Sequence, residues 1–186
     1  AGEFVSITAS KPPRLHAARY YRFEHGDFFE ENKDRLLEIF DCVLNDVFER
    51  LIHSAGGRRI VVPLSGGIDS RVIAAMLRSK GESNVLCFSY GKPGNWEAEA
   101  SRQVAERLGY EWHFVPYDRH RWRQWFLSGE RKVYSAYGHG LTTGAHLQDW
   151  PAIREMRQNH VLREDDILMP GHTGDFLCGG HVPPEI

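Results

Sequence analysis

The chain has 186 residues, with 23 lysines and arginines against 25 aspartates and glutamates, and a formal net charge of −2. This length is enough to bury roughly two thirds of the unfolded surface in one core. The near-neutral charge argues against an obligate nucleic-acid-binding protein, so we expect no nucleic-acid partner. No apolar run approaches the roughly 20 residues of a membrane span, and we expect no membrane partner.

The three cysteines, Cys42, Cys87 and Cys178, are widely spaced and contain no C-x-x-C pair. This spacing indicates neither a disulfide framework nor a cysteine zinc site. It is typical of a reducing compartment, and we expect the protein to be cytoplasmic. Residues 1–4 are interpreted as a cloning remnant, and the lack of an initiating methionine suggests an expressed fragment or a processed product. This leaves residues 5–186 as one expected domain.

Apolar residues at helical spacing between Leu36 and Leu51 predict a long amphipathic helix. Strand and helix signals then alternate, and alternation of this kind predicts parallel pairing. The strand runs are apolar without alternation, as expected for a twisted parallel sheet with helices on both faces. We therefore predict an α/β fold. The predicted elements are a strand at 59–64, a helix at 69–80, a strand at 84–90, a helix at 97–108 and a strand at 111–116.

The pattern is weaker after residue 117. Residues 119–127 predict an amphipathic helix with Trp122 and Trp125 turned inward. Stacking of these tryptophans on RNA bases is the alternative. No element is predicted for residues 128–146, which carry many small residues and histidines.

The last third of the chain predicts one helix and one strand. An aspartate and a proline at residues 149–151 are typical of a helix start, and the helix is expected to reach about Leu162. Residues 167–169 predict a short strand. The acidic residues at 164–166 are interpreted as a solvated turn.

The sequence S-G-G-I-D-S at residues 65–70, here called the first loop, follows an apolar strand and opens a helix. Its adjacent glycines let main-chain N–H groups approach an anion, its serines add donors, and the helix directs its positive end at the same point. These features predict a phosphate cradle and a bound nucleotide. The first loop has neither the lysine of a Walker A loop nor the glycine spacing of a Rossmann fingerprint. Asp69 offers the hard carboxylate that Mg²⁺ prefers beside a polyphosphate, although Ser65 and Asp69 alone could be helix caps.

A second glycine-rich segment follows the last predicted strand, and residues 170–181 are here called the second loop. The first loop resembles the pyrophosphate loop of the N-type ATP pyrophosphatases, which cleave ATP between the α and β phosphates. The second loop resembles the S-G-E-G-x-D-E and Gly-Gly segment of the asparagine synthetases. The chain is thus similar to the asparagine-synthetase-like ATP pyrophosphatases over about residues 36–118 and 167–181, which implies an adenine nucleotide alpha hydrolase-like (PP-loop ATPase) fold.

This resemblance implies ATP and Mg²⁺ as cofactors and assigns roles to particular residues. Asp69 and Asp175 would be the metal ligands, and Asp175 and His172 would be the catalytic residues. The residues expected to contact the nucleotide are Leu64, Ser65, Gly66, Gly67, Asp69, Ser70, Ser89, Tyr90, Gly91 and Gly174.

Two positions depart from the family pattern, because His172 replaces a glutamate and Phe176 replaces an acidic residue. A histidine with a pKa of about 6.5 can accept a proton from an attacking amine at neutral pH. The alternative for His172 is a hydrogen bond to phosphate or a role in the turn. The other histidines of this half, among them His139, His146 and His181, are expected to be scattered polar or site-lining residues, since no zinc-binding spacing is present.

The resemblance implies an ATP-dependent ligase that adenylylates a substrate carboxylate and forms an amide. Its expected partners are a small carboxylate substrate and an amine or ammonia donor. No cysteine precedes Cys42, so a glutaminase domain is expected to be separate or missing, and we expect truncation at the C-terminus. The alternatives are a tRNA-thiolating enzyme with a similar loop and a non-catalytic nucleotide-binding domain.

Overall fold

The computed structural model describes residues 2–22, 29–139 and 144–172. The chain divides into two compact units, Ala1–Asp41 and Cys42–Ile186. In the first unit, β1 (Glu3–Thr8) pairs antiparallel with β2 (Arg14–Arg19). Glu3 lies opposite Arg19 and accepts a 2.8 Å hydrogen bond from its Nε. The sequence analysis predicted no element here, so this hairpin was missed.

The second unit is built on a parallel sheet with the strand order β5-β4-β3-β6. This arrangement confirms the predicted α/β architecture. The strands are β3 (Ile60–Pro63), β4 (Val85–Gly91), β5 (Glu111–Pro116) and β6 (Ile167–Leu168). The helices are α1 (Lys33–Ala55), which begins in the first unit, α2 (Ile68–Ser79), α3 (Trp96–Leu108), α4 (Arg119–Phe126), α5 (Gly129–Gly138) and α6 (Trp150–Gln158).

Successive side chains of β3 enter two different cores, because residues of a strand point alternately to its two faces. Ile60 and Val62 pack with apolar residues of α1, α2 and α3. Val61 packs with Ala152 and Met156 of α6 on the other face. All five side chains are fully buried, so the sheet is covered by helices on both sides, as the apolar strand runs predicted.

Two helices differ from the prediction. Helix α5 was missed, although the Ser128 hydroxyl accepts a 3.1 Å hydrogen bond from the Arg131 N–H and caps its start. Helix α6 ends at Gln158 rather than near Leu162. The reason is a left-handed backbone at His160, with φ of 56°, which an α-helix cannot accommodate.

The acidic segment before β6 is only partly the solvated turn that was predicted. Glu164 and Asp165 are exposed, but the Asp166 carboxylate is 4% exposed and pairs with Arg59, whose guanidinium is 9% exposed. Arg59 Nε and Nη2 donate to the two carboxylate oxygens at 3.0 and 2.6 Å. This ion pair joins the start of β6 to the residue before β3, so the solvated interpretation was wrong for Asp166.

Aromatic side chains of α4, α5 and α6 pack together. Trp125 is 6% exposed, and its ring centroid lies 5.1 Å from Trp122 and 5.2 Å from Trp150. Trp122 is partly exposed. Trp125 therefore faces the protein, as predicted, whereas Trp122 packs beside it but is 36% exposed. Among the helices of the described residues, none combines the length and apolar character needed to cross a membrane.

Candidate functional site

The first loop is held by a small network of serine hydroxyl groups. The Ser70 hydroxyl accepts a 3.0 Å hydrogen bond from the Ser65 N–H and lies 3.0 Å from the Ser65 hydroxyl. The Ser65 hydroxyl in turn accepts a 3.1 Å bond from the Gly67 N–H. Ser70 is 6% exposed, so its hydroxyl stabilises the loop from the side of the protein interior. Ser65 lies at the surface of the site.

Gly67 is the N-cap residue of α2, with φ of −71° and ψ of 158°. It has no side chain that could satisfy the N–H groups of the first helical turn, which are left without intrahelical partners. The helix dipole adds partial positive charge at the same end. This helix start is therefore suited to bind an anion.

Gly66 lies against the indole ring of Trp96, the first residue of α3. A β-carbon at Gly66 would be 2.5 Å from Cζ3 of this ring, a distance that two non-bonded carbons cannot adopt. The Trp96 ring is otherwise 70% exposed. The absence of a side chain at Gly66 thus allows the first loop to lie directly beside the start of α3.

The first residues of the second loop contact the first loop. The Met169 N–H donates to the Val61 carbonyl at 2.9 Å, which extends the chain alongside β3. A β-carbon at Gly171 would lie 3.1 Å from the Ser70 nitrogen and 3.2 Å from Cβ of Asp69. The beginning of the second loop therefore packs on the first turn of α2.

A cavity of about 280 Å³ lies at the carboxyl ends of β3 and β4. Its walls combine the first loop, the end of β4 and the residues near α6. It is lined by Pro63, Leu64, Ser65, Gly67, Asp69, Ser70, Phe88, Ser89, Tyr90, Glu97, Gln148, Asp149, Gly171 and His172.

Most of the residues predicted for nucleotide contact line this cavity. Two do not: Gly66 lies under Trp96, and Gly91, at the end of β4, accepts a 2.7 Å hydrogen bond from the Tyr117 N–H through its carbonyl. Gly174 and Asp175 lie outside the described residues, so their assignments stay predictions.

The sequence analysis missed Asp149, which it treated as a helix cap. Asp149 occupies the N-cap position of α6, but its side chain makes no capping hydrogen bond. Its Oδ1 instead accepts a 2.9 Å bond from the Tyr90 hydroxyl and lies 2.8 Å from His146 Nδ1. In the sequence, an aspartate at the start of a helix is compatible with a helix cap and with a contact to another element. Only the position of the Tyr90 hydroxyl in the structure distinguishes the two roles.

His146, Asp149 and His172 form a cluster, here called the histidine–aspartate cluster. One possible ligand atom of each residue lies within 4.8 Å of the others, and the two imidazole ring centroids are 4.7 Å apart. Within the part of the chain that the structure describes, this is the group of side chains with the composition of a metal site. The sequence spacing gave no indication of it.

Tyrosine hydroxyl groups hold the segment that carries Asp149. Tyr117 donates to the Gln148 carbonyl at 2.8 Å and accepts a 2.9 Å bond from the Ala152 N–H. Burial raises the pKa of Tyr90, and the negative charge of Asp149 raises this pKa further. Burial also raises the pKa of Tyr117. Both hydroxyl groups therefore remain protonated donors at neutral pH.

The model of the asparagine synthase family matches residues 47–182. The match also includes the middle of the chain, for which the sequence analysis found no resemblance. The chain is 33% identical over 93 residues to a probable glutamine-hydrolysing asparagine synthetase of Acanthamoeba polyphaga mimivirus, covering 49% of this chain and 16% of that protein. It is 44% identical over 59 residues to a 7-cyano-7-deazaguanine synthase of Cupriavidus necator, covering 31% of this chain and 26% of that protein.

Among solved structures, an NH3-dependent NAD synthetase from Campylobacter jejuni aligns with a TM-score of 0.44 and 15% identity, covering 73% of this chain and 57% of that one. The chain spans no more than about a quarter of the two curated relatives described above. The family match covers well over half of this chain and agrees with the parallel sheet and the first loop. The chain belongs to the asparagine synthase family.

Proposed function

We propose that this chain is the ATP-binding part of an amide-forming ligase, which transfers AMP to a substrate carboxylate and releases pyrophosphate. The main support is the first loop: a serine-stabilised loop and an open helix start form one wall of a cavity at the carboxyl edge of a parallel sheet. Ligands of open α/β sheets bind at this edge. Membership of the asparagine synthase family supports the same function.

In this proposal the ATP phosphates lie on the first loop. The N–H groups at the start of α2 and the Ser65 hydroxyl would donate to the phosphate oxygens. The adenine would lie near Ser89 and Tyr90, which line the same cavity. These donors are fixed before the substrate arrives, so they would stabilise the charge of the leaving pyrophosphate without reorganisation.

Asp69 is the proposed Mg²⁺ ligand. Its half-buried carboxylate lies in the first turn of α2 and lines the cavity, and carboxylate oxygens are the ligands that Mg²⁺ prefers. The bound ion would supply positive charge to the phosphates. Asp175 is the proposed second ligand and, like the rest of the second loop after His172, lies outside the described residues.

The proposed reaction has two steps. An oxygen of the substrate carboxylate attacks the α-phosphorus of ATP, and the bond from this phosphorus to the oxygen that bridges to the β-phosphorus breaks. Pyrophosphate leaves with the electron pair, and an acyl-adenylate forms. An amine or ammonia then attacks the acyl carbon, AMP leaves, and the amine loses a proton. We place this reaction in the cytoplasm, with nitrogen supplied as free ammonia, as a substrate amine or by a glutaminase domain.

Binding of a nucleotide can be tested with α,β-methylene-ATP, which cannot be cleaved at the required bond. We expect Mg²⁺-dependent binding by isothermal titration calorimetry. Asp69→Asn and Gly67→Val should remove this binding without unfolding the domain, because both positions lie outside the buried core. Unchanged affinity in both variants would show that the nucleotide binds elsewhere.

The chemistry can be tested with ¹⁸O-labelled carboxylates, starting with L-aspartate, and with the exchange of labelled pyrophosphate into ATP. We expect one ¹⁸O atom to appear in AMP for each turnover. Turnover with unlabelled AMP would contradict carboxylate adenylylation. Nucleotide binding with no exchange for any carboxylate would favour a non-catalytic nucleotide-binding domain.

A further inference from the structure

We propose that the histidine–aspartate cluster binds a divalent transition-metal ion of the zinc class beside the nucleotide cavity. This site would be separate from the Mg²⁺ site proposed at Asp69 and would not depend on it. Its three members come from two segments: His146 and Asp149 precede α6, and His172 belongs to the second loop. Asp149 and His172 also line the cavity wall.

The donor set determines the class of ion. Two imidazoles and one carboxylate are typical ligands of zinc, iron, cobalt and nickel, whereas Mg²⁺ and Ca²⁺ prefer oxygen ligands alone. Three protein ligands also leave one position of a tetrahedral ion open to water or to a substrate oxygen, as in catalytic zinc sites. The open position would lie beside the cavity in which the triphosphate and the acceptor are proposed to meet.

The distances are compatible with an ion once the ligand side chains move toward the tetrahedral separation. Ligands about 2.1 Å from a tetrahedral ion are separated from each other by about 3.4 Å. In the structure His146 Nδ1 lies 2.8 Å from Asp149 Oδ1, and the possible ligand atoms of the three residues all lie within 4.8 Å of one another. The separations must therefore change by about 0.6 Å for the His146–Asp149 pair and by at most about 1.4 Å for the others. The His146 side chain is 50% exposed, so its ring has room to move by this amount.

The carboxylate is already oriented by a hydrogen bond, a feature that metal sites commonly have. The Tyr90 hydroxyl donates to Asp149 Oδ1 at 2.9 Å, and the Tyr134 hydroxyl donates to the His146 carbonyl at 2.7 Å. Asp149 is 16% exposed, which limits its side-chain freedom before any ion binds. Such contacts from outside the ligand set usually increase metal affinity about 10- to 100-fold.

This assignment gives His172 the role of a metal ligand. It replaces the two roles that the sequence analysis left open, a proton acceptor and a contact to phosphate. It also explains why the histidine lies against His146, with ring centroids 4.7 Å apart, rather than alone on the cavity wall. Without an ion, the same contacts would be a hydrogen-bonded His146–Asp149 pair with a neighbouring ring, and the experiment below distinguishes the two cases.

The test is a titration of the chelator-treated, tag-free chain with Co²⁺, followed by visible absorption, and with Zn²⁺ as a competitor. We expect one Co²⁺ per chain, visible absorption bands typical of nitrogen and oxygen ligands, and full displacement by Zn²⁺ but not by excess Mg²⁺. His146→Ala and His172→Ala should each weaken Co²⁺ binding by at least about tenfold. Tyr90→Phe should weaken it less, through the loss of one orienting hydrogen bond.

The matched control is His120→Ala, which removes an exposed histidine of α4 and should leave Co²⁺ affinity unchanged. Asp69→Asn should also bind Co²⁺ normally, so that failure of the Mg-ATP proposal and failure of this one are distinguishable. Circular dichroism of each variant identifies any loss of fold. An absent Co²⁺ spectrum, or equal affinity in the wild type, His146→Ala and His172→Ala, would overturn the proposal.

Discussion

Gly171 packs directly against the backbone of Ser70, so closely that a β-carbon at Gly171 would lie 3.1 Å from the Ser70 nitrogen. The two residues are far apart in sequence, yet this contact places the start of the second loop on the first turn of α2. Residues of both loops thus line the cavity in which the nucleotide is proposed to bind. Its shape depends on side-chain size at Gly171.

Gly171→Ala should weaken the binding of α,β-methylene-ATP by about tenfold, equivalent to about 1.4 kcal/mol. The added methyl group would press on Ser70 and on Cβ of Asp69, so the helix start or the second loop must shift. Calorimetry measures the affinity. The control is Gly129→Ala, because a β-carbon at Gly129 meets no atom within 4 Å. Equal affinity in both variants would mean that the contact does not shape the cavity.

Ser70→Ala should lower both nucleotide affinity and stability. The Ser70 hydroxyl is the acceptor for the Ser65 N–H, and loss of a buried hydrogen-bond partner costs about 1 to 3 kcal/mol. Chemical denaturation and calorimetry on the same preparation measure the two effects. Ser79→Ala is the matched control, since the exposed Ser79 hydroxyl bonds only to the carbonyl one turn earlier in α2. A Ser70→Ala variant with wild-type affinity would contradict the role of this network.

Asp166→Asn should lower the free energy of unfolding by about 3 kcal/mol at neutral pH, because it leaves a buried Arg59 without its counter-charge. Burial works to raise the pKa of Asp166, but hydrogen bonds from Arg59 and from the Arg163 N–H outweigh it and lower this pKa. A lowered pKa contributes stability that is complete above the unfolded-state pKa of about 3.9. That contribution is lost as the pH falls through the folded-state value.

The wild type should therefore lose its advantage over Asp166→Asn in acid, below about pH 4. Urea denaturation of both proteins across this range measures the difference. Asp165→Asn is the control, because Asp165 is an exposed neighbour in the same acidic segment. A stability difference between the wild type and Asp166→Asn that stays constant down to pH 2 would refute the buried ion pair as its source.

Cys87 should not react with iodoacetamide in the native protein. It is fully buried in β4, and burial raises its pKa to about 12, so the thiolate fraction near pH 8 is on the order of 1 in 10⁴. Exposed Cys42 should react, and both should react in guanidinium. Peptide mass spectrometry measures the labelling. Rapid native labelling of Cys87 would contradict its burial in β4.

Local patterns predicted the elements that position the first loop. The parallel strands and helices from residue 59 to 116 were found because each is marked by its own residues, the strands by short apolar runs and the helices by apolar residues at helical spacing. The hairpin of β1 and β2 was missed because its strand residues are almost all exposed and have no buried face to pattern. Helix α5 was missed because it has no buried residue and its signal was limited to the Ser128 cap.

The sequence by itself determined the chemistry of the first loop, since two glycines, two serines and a helix start act within six neighbouring residues. Only the tertiary structure decided that Asp166 is buried against Arg59 and that Asp149 turns from a helix cap to Tyr90 and His146. It also decided that Gly171 and His172 return to the first loop and to the cluster. Such contacts join segments that are distant along the chain, and their partners are selected by how α6 and β6 pack on the sheet rather than by any local spacing.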